Sequence, residues 1–161
     1  HADFMTPYGT VVQDVGLEMN DESIFKWEII HPFAYIWYVC HRCSPFRDMM
    51  IDALGKAVGG ILSMLFYGDE LVPGNPLRID GGRKIFAFYY AFLEWPLWIL
   101  RKSDAWLCFG ALRTNIIYDV KGGISAVFAL VMRMLFSNHN FDYNLRTFDL
   151  QNLIYQMKEY Q

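Results

Sequence analysis

The chain reads LSMLFYGDELVPGNP over residues 62–76, and this stretch decides the predicted fold. An apolar run ends at two acids, Asp69 and Glu70, and a turn-rich segment then leads to an aromatic run, Ile85–Phe92. A run that is apolar nearly throughout is typical of a strand covered on both faces, so we predict a central strand over residues 61–68. Polar groups at the end of a buried strand reach water, where carboxylates bind metal or act in acid–base chemistry. Asp69 is therefore the first candidate site residue.

Two further strands are predicted downstream, over Lys84–Leu93 and Ala105–Arg113, with a short helix or a loop at Trp95–Leu100 between them. A helix is predicted over Ile124–Phe136, because apolar residues recur there at spacings of three and four. Three strands that are neighbours in sequence, followed by a helix, predict an antiparallel meander with helices on its faces. The predicted fold class is α+β rather than a doubly wound sheet.

The segment before this meander predicts a hairpin and two helices. Strands are predicted over Thr10–Met19 and Ser23–Ile30, with a turn between them. Helices are predicted over Phe33–Cys43 and Phe46–Lys56, with Ser44 as the candidate N-cap of the second. The chain therefore divides into a hairpin and helical segment, 1–58, and a core, 59–161, within one compact unit.

Composition limits the possible classes of protein. The chain has 161 residues, of which 54% are hydrophobic and 19% are charged. Because so much apolar surface must be buried, we expect a folded chain and not a disordered one. Its net charge of −3 gives no general attraction to phosphate backbones or anionic membranes. Its apolar runs are shorter than the roughly 20 residues that cross a bilayer, so we expect no membrane span. The chain begins with His1 and has three cysteines, and we expect an intracellular fragment of a longer polypeptide.

The two acids differ in their expected roles. Successive strand residues point to opposite faces, so only one of the pair can face a given site. We favour Asp69 as the directed, catalytic acid and Glu70 as the solvated or turn-bonding one. Both carboxylates, Asp69 and Glu70, are candidate metal ligands. The alternative is that Asp69 bonds the turn N–H groups near Pro73–Asn75.

Cys40 and Cys43 are spaced as zinc ligands often are, and His41 between them adds a possible donor. No second cysteine pair or histidine pair follows in the sequence, so a four-ligand site cannot be completed locally. Cysteines three apart on a helix are more often packing residues. We therefore do not expect zinc.

Basic residues form a third candidate site. Arg78, Arg83 and Lys84 lie near the predicted strand ends, with Arg101 and Lys102 further on. Arginine and lysine beside aromatic residues can hold phosphates and stack on bases, which indicates a nucleic-acid-binding surface. The alternative is an ordinary solvated rim.

The chain resembles a known family through several short stretches. The stretches that carry the resemblance are Tyr67–Leu77, Arg83–Tyr89, Asp104–Trp106, Arg113 and Gly122–Ser125, with Thr6–Gly9 and His31–Pro32 in the segment before them. Together the first five stretches are similar to the core of eukaryotic transposon-derived proteins allied to the Plavaka or Kyakuja–Dileera–Zisupton type of DDE transposase. The last two fit the segment that precedes that core.

The resemblance implies an RNase H-like fold whose first strand ends in the first catalytic acid, the position that Asp69 matches. It further implies Mg²⁺ or Mn²⁺ as cofactor, DNA as partner and the nucleus as location. The family needs further acids on later strands, for which Asp142 and Asp149 are weak substitutes. On this interpretation the chain is a partial core, inactive alone.

Two other functions remain open. The helix Ile124–Phe136 is apolar nearly all round, which favours a protein-interaction module that docks the remainder of the polypeptide or another copy of the chain. A small-ligand pocket is the third possibility. Its predicted lining is Trp37, Tyr89, Trp95 and Trp106.

Overall fold

The computed structural model describes residues 4–72 and 84–136. A short antiparallel pair opens it, with β1 at Met5–Thr6 and β2 at Gly9–Thr10. The predicted hairpin follows and is confirmed, with β3 at Val12–Glu18 paired antiparallel to β4 at Ile24–Ile30.

The two predicted helices are present, as α1 at Pro32–Arg42 and α2 at Ser44–Lys56. Pro32 occupies the first turn of α1, where its missing N–H costs no hydrogen bond. The predicted Ser44 cap is wrong. Ser44 already lies inside α2, and the capping position belongs to Cys43, which makes no side-chain capping bond.

The predicted meander is confirmed as a three-stranded antiparallel sheet in the order β5, β6, β7. Its strands are β5 at Met64–Leu71, β6 at Ile85–Phe92 and β7 at Leu107–Arg113. The central strand is β6, and β5 lies at an edge of the sheet within the described part of the chain. The prediction that the first strand of the meander is its central strand is therefore wrong for the described residues.

The strand β5 begins and ends three residues later than the predicted strand, 61–68. It begins at Met64 and runs through both acids to Leu71, which pairs with Ile85. Asp69 pairs with Ala87 inside the ladder instead of following the strand. The ladder continues because the turn-forming prolines and glycine come only after Val72.

Three helices complete the described chain, α3 at Leu97–Leu100, α4 at Thr114–Asp119 and α5 at Gly123–Phe136. The predicted short helix and the predicted long helix correspond to α3 and α5. The helix α4 was not predicted. It begins directly after β7, where the Thr114 N–H donates to the Lys84 carbonyl at 2.9 Å and continues the ladder between β6 and β7 by one hydrogen bond.

A single hydrophobic cluster joins the residues before and after position 58. The Trp27 ring on the hairpin packs against Phe88 and Phe109 of the meander, and its indole N–H donates to the Ala111 carbonyl at 3.1 Å. A Cβ atom on Gly110 would lie 2.8 Å from the Trp27 ring, so glycine permits this close approach. The hairpin is thus built into the core that the meander provides.

Within residues 4–72 and 84–136, none of the helices has both the length and the apolar character needed to span a bilayer. The predicted strand and helix of the tail, Phe141–Gln161, fall outside the described residues.

Candidate functional site

The two faces of the meander have different surroundings. We call the side that packs against α5 the covered face. There the Phe66 and Phe88 rings contact the Phe128 ring at centroid distances of 5.9 and 5.1 Å. We call the opposite side the open face, where Tyr67 is 51% exposed and Leu71 is 43% exposed. Strand alternation assigns Gly68 and Glu70 to the covered face and Tyr67 and Asp69 to the open face.

Gly68 lets α5 approach the sheet. A Cβ atom at this position would lie 2.7 Å from the Phe86 ring and 3.1 Å from the Phe128 ring. These two rings already contact each other at a centroid distance of 6.1 Å. The glycine therefore sits one residue before Asp69 for a packing reason, and it fixes the position of β5 under the helix.

Glu70 is held by two partners on the covered face. Its carboxylate accepts from the Lys84 Nζ at 2.9 Å and from the Thr114 Oγ1 at 2.9 Å. These hydrogen bonds, with Lys84 contributing most, lower the pKa of Glu70 below its ordinary value. Glu70 thereby links the end of β5 to the beginning of β6 and to α4.

Asp69 is more exposed than Glu70. Its Oδ1 accepts a hydrogen bond from the backbone N–H of Glu70 at 2.8 Å. The Tyr67 hydroxyl donates to the same carboxylate, and this hydrogen bond is the main reason that the pKa of Tyr67 is raised. The predicted alternative partners, in the turn near Pro73–Asn75, lie outside the described residues.

The surroundings of Asp69 leave its carboxylate accessible. Its cross-strand neighbours on the open face are Ala87 and then Ala111, which carry no bulky side chains. A carboxylate with spare acceptor positions is a suitable ligand for a hard divalent cation. Glu70 does not share such a site with Asp69, because it points to the other face of the strand.

No group of three or more histidine, cysteine, aspartate or glutamate side chains converges as a metal site within residues 4–72 and 84–136. Within these ranges Asp69 is therefore not joined by two further side chains of this kind. A metal bound at Asp69 would need additional ligands from positions outside these ranges or from another molecule.

Of the three predicted nucleic-acid-binding residues, only Lys84 lies among the described residues. Arg78 and Arg83 lie outside the described residues, and Lys84 pairs with Glu70. Lys102, further along, holds its Nζ 5.3 Å from the centre of the Trp98 ring. The structure does not bring these residues together into one basic surface among the positions it describes.

The two cysteines differ in burial. Cys40 is fully buried in the hydrophobic core, and this burial raises the pKa of its thiol to about 12, whereas Cys43 is half-buried. A cysteine buried in a hydrophobic core is typical of a packing residue. His41 stacks on Trp37 at a centroid distance of 3.8 Å, and its Nδ1 lies 3.2 Å from the Trp37 carbonyl oxygen.

Sequence reasoning missed the role of His31. It is buried at the N-cap of α1, where its Nδ1 accepts the Ala34 N–H at 3.3 Å, and burial lowers its pKa to about 4. Its position directly before Pro32 was the available signal, since proline is common in the first turn of a helix.

The four residues of the predicted aromatic pocket have different neighbours in the structure. Trp37 packs against Phe4, and Tyr89 shares a cross-strand row with Tyr67 on the open face. The Trp106 ring contacts the Tyr67 ring at 6.2 Å. Trp95 instead lines a groove of about 580 Å³ between α2 and the segment from Trp95 to Leu107.

Comparisons of the chain with protein-family models, with curated proteins and with solved structures gave no match.

Proposed function

We propose that the open face at Asp69 is part of a DDE-type, metal-dependent centre for DNA strand transfer or cleavage, carried by a partial RNase H-like core. The observation that carries this proposal is the exposed Asp69 carboxylate on an antiparallel meander whose other face is covered by a helix. The order of the strands also supports it. Asp69 lies near the end of the first strand, and two antiparallel strands follow, which is the order that the resemblance to the transposase family implies.

The proposed metal is Mg²⁺ or Mn²⁺, and Asp69 would be one of its ligands. When bound in such a centre, the metal activates water or a 3′-hydroxyl for attack on a phosphodiester. The chain's own contribution is positional. The Tyr67 hydroxyl and the Glu70 N–H each donate to the Asp69 carboxylate, and this fixes its orientation.

Glu70 has a supporting role in this proposal. Its bonds to Lys84 and Thr114 anchor the end of β5, so that the neighbouring Asp69 is presented on a rigid strand. We therefore assign Glu70 to the support of the site instead of to the metal, and we leave Arg78 and Arg83 as the proposed phosphate contacts.

The proposed centre needs further acidic side chains close to Asp69, and the described residues do not provide them. The remainder of the same polypeptide or a second copy would provide them, so the chain is proposed to be inactive alone. A nuclear location goes with this function.

Titration of the whole chain with Mn²⁺ by isothermal calorimetry tests the proposal. We expect weak, saturable binding that Asp69→Asn abolishes, because one of the ligands loses its charge. The control is Asp48→Asn, which removes another exposed carboxylate, 70% exposed, on α2. Equal Mn²⁺ binding by the Asp69→Asn protein and the unaltered chain would remove Asp69 from the proposal.

A protein-interaction module is the second candidate, and exposed apolar residues favour it. Leu71 on the open face is 43% exposed, and Met132 on α5 is 44% exposed. The helix α5 buries Val127, Val131 and Leu135, so it docks on the sheet with one face and leaves Met132 outward. Light scattering together with DNA titration separates the candidates, since a tight homo-oligomer without DNA affinity supports the interaction module.

A further inference from the structure

A second concave surface lies away from Asp69, between α2 and the turn that contains α3. We call it the tryptophan groove. It has a volume of about 580 Å³, within the roughly 300–1,000 Å³ of small-molecule sites. Its walls are formed mainly by Phe46, Met49, Trp95, Trp98, Ile99 and Leu107.

Two indole donors at the groove already have partners. The Trp95 N–H donates to the Met50 sulfur at 3.3 Å, and the Trp106 N–H beside the groove donates to the Leu100 carbonyl at 3.1 Å. Around Trp95 the groove therefore suits the apolar part of a ligand. The Trp98 ring is 63% exposed, so its face is accessible to such a ligand.

Three charged side chains belong to the lining of the groove. Asp52 comes from α2 on one side and Asp104 from the opposite segment. Asp52 also pairs with Lys56, whereas the hydrogen bond described for Asp104 comes from the neighbouring Ser103 hydroxyl. Lys102 places its ammonium 5.3 Å from the centre of the Trp98 ring. The lining thus carries two carboxylates and one ammonium, and that ammonium already occupies an aromatic face.

We propose that the tryptophan groove binds an organic cation of the alkylammonium class. Aromatic walls attract ammonium groups through the negative face of the ring, and the carboxylates of Asp52 and Asp104 in the lining add charge complementarity. The Lys102 ammonium marks where the charge of the ligand would lie. The ligand displaces Lys102 from Trp98 and brings its alkyl groups against Phe46 and Trp95.

The test compares choline with 3,3-dimethylbutan-1-ol, which has the same shape without the charge. Binding to the whole chain is followed through the indole N–H resonances in NMR spectra. We expect choline to bind at least tenfold more tightly than the alcohol, because only the charged probe gains from the rings and the carboxylates.

Variants locate the binding. Trp98→Ala should weaken choline binding at least tenfold, and Asp104→Asn should weaken it about threefold. Lys102→Met should strengthen it, since the competing ammonium is removed. Tyr118→Ala is the control, because it removes another exposed ring, 75% exposed, on α4. Equal binding of choline and the alcohol, no saturable shift, or unchanged binding by Trp98→Ala would overturn the proposal.

Discussion

The covered and open faces of the meander come from alternate residues of the same strands, yet they have different surroundings. On the covered face, Phe88 is fully buried beneath the Phe128 ring of α5, and Glu70 has two partners. On the open face, Tyr67 is half exposed and Asp69 is held by its near neighbours. The covered face therefore stabilises the fold, and the open face is the more accessible of the two to solvent.

The largest expected effect is on the covered face. Phe88→Ala removes a fully buried ring and should lower the free energy of unfolding by about 3–5 kcal/mol. Tyr67→Ala, on the open face of the neighbouring strand, should cause a much smaller loss. Urea denaturation of both proteins measures the difference, and equal losses would contradict the assignment of the faces.

Gly68→Ala should have the next largest effect. The added methyl group meets the Phe86 and Phe128 rings, which must separate, and we expect a loss of about 1–3 kcal/mol of unfolding free energy. The control is Gly55→Ala in α2, where nothing lies within 4 Å of the new Cβ. That change should raise stability by up to about 1 kcal/mol, because alanine favours helices. A stabilising effect of Gly68→Ala would show that α5 does not press on β5 here.

Glu70→Gln should cause a smaller, pH-dependent loss. The folded-state pKa of Glu70 lies below its ordinary value of 4.5, so its carboxylate stabilises the fold above that pH. The stabilisation is lost as the pH falls from 4.5 through the folded-state pKa. The difference in stability between the unaltered chain and Glu70→Gln should therefore be greatest near neutral pH and shrink on acidification.

Thr114→Val serves as an intermediate comparison, since it removes one donor to Glu70 and keeps Lys84. If the difference in unfolding free energy between the unaltered chain and Glu70→Gln is the same at pH 7 and at pH 3, the ionised Glu70 carboxylate does not stabilise the fold.

Asp69→Asn should have the smallest effect on the fold. Its carboxylate is exposed, so we expect little change in the denaturation midpoint. The pKa of Tyr67 should fall toward 10.0, because a neutral amide no longer favours the protonated phenol. Spectrophotometric titration of the tyrosines, with Tyr67→Phe to identify the signal, measures this change. An unchanged Tyr67 signal would mean that the two side chains do not interact.

The sequence was sufficient to predict the elements with strong periodicity. The hairpin, α1, α2, the meander and α5 all follow from apolar spacing and from turn residues. The helix α4 was missed because the six residues Thr114–Asp119 directly follow a strand and carry no capping pattern. The extent of β5 was missed because charged residues such as Asp69 and Glu70 are disfavoured in strands, while their partners are distant in sequence.

The candidate site was predicted in part. Alternation along a strand placed Asp69 and Glu70 on opposite faces, as the structure has them. The bond between Glu70 and Thr114 spans 44 residues and depends on how β7 and α4 return to the sheet. The location of Trp37 away from Trp95 likewise depends on helix packing, for which a single sequence carries no signal.

Line broadening by Mn²⁺ in NMR spectra of the whole chain tests most directly whether the open face holds a cation. We expect the backbone N–H signals of Tyr67, Asp69 and Ala87 to broaden first, at low Mn²⁺ concentration. Asp69→Asn should remove this broadening, and Asp48→Asn should leave it unchanged. Broadening that begins elsewhere, or that persists undiminished in Asp69→Asn, would contradict the role given to this carboxylate.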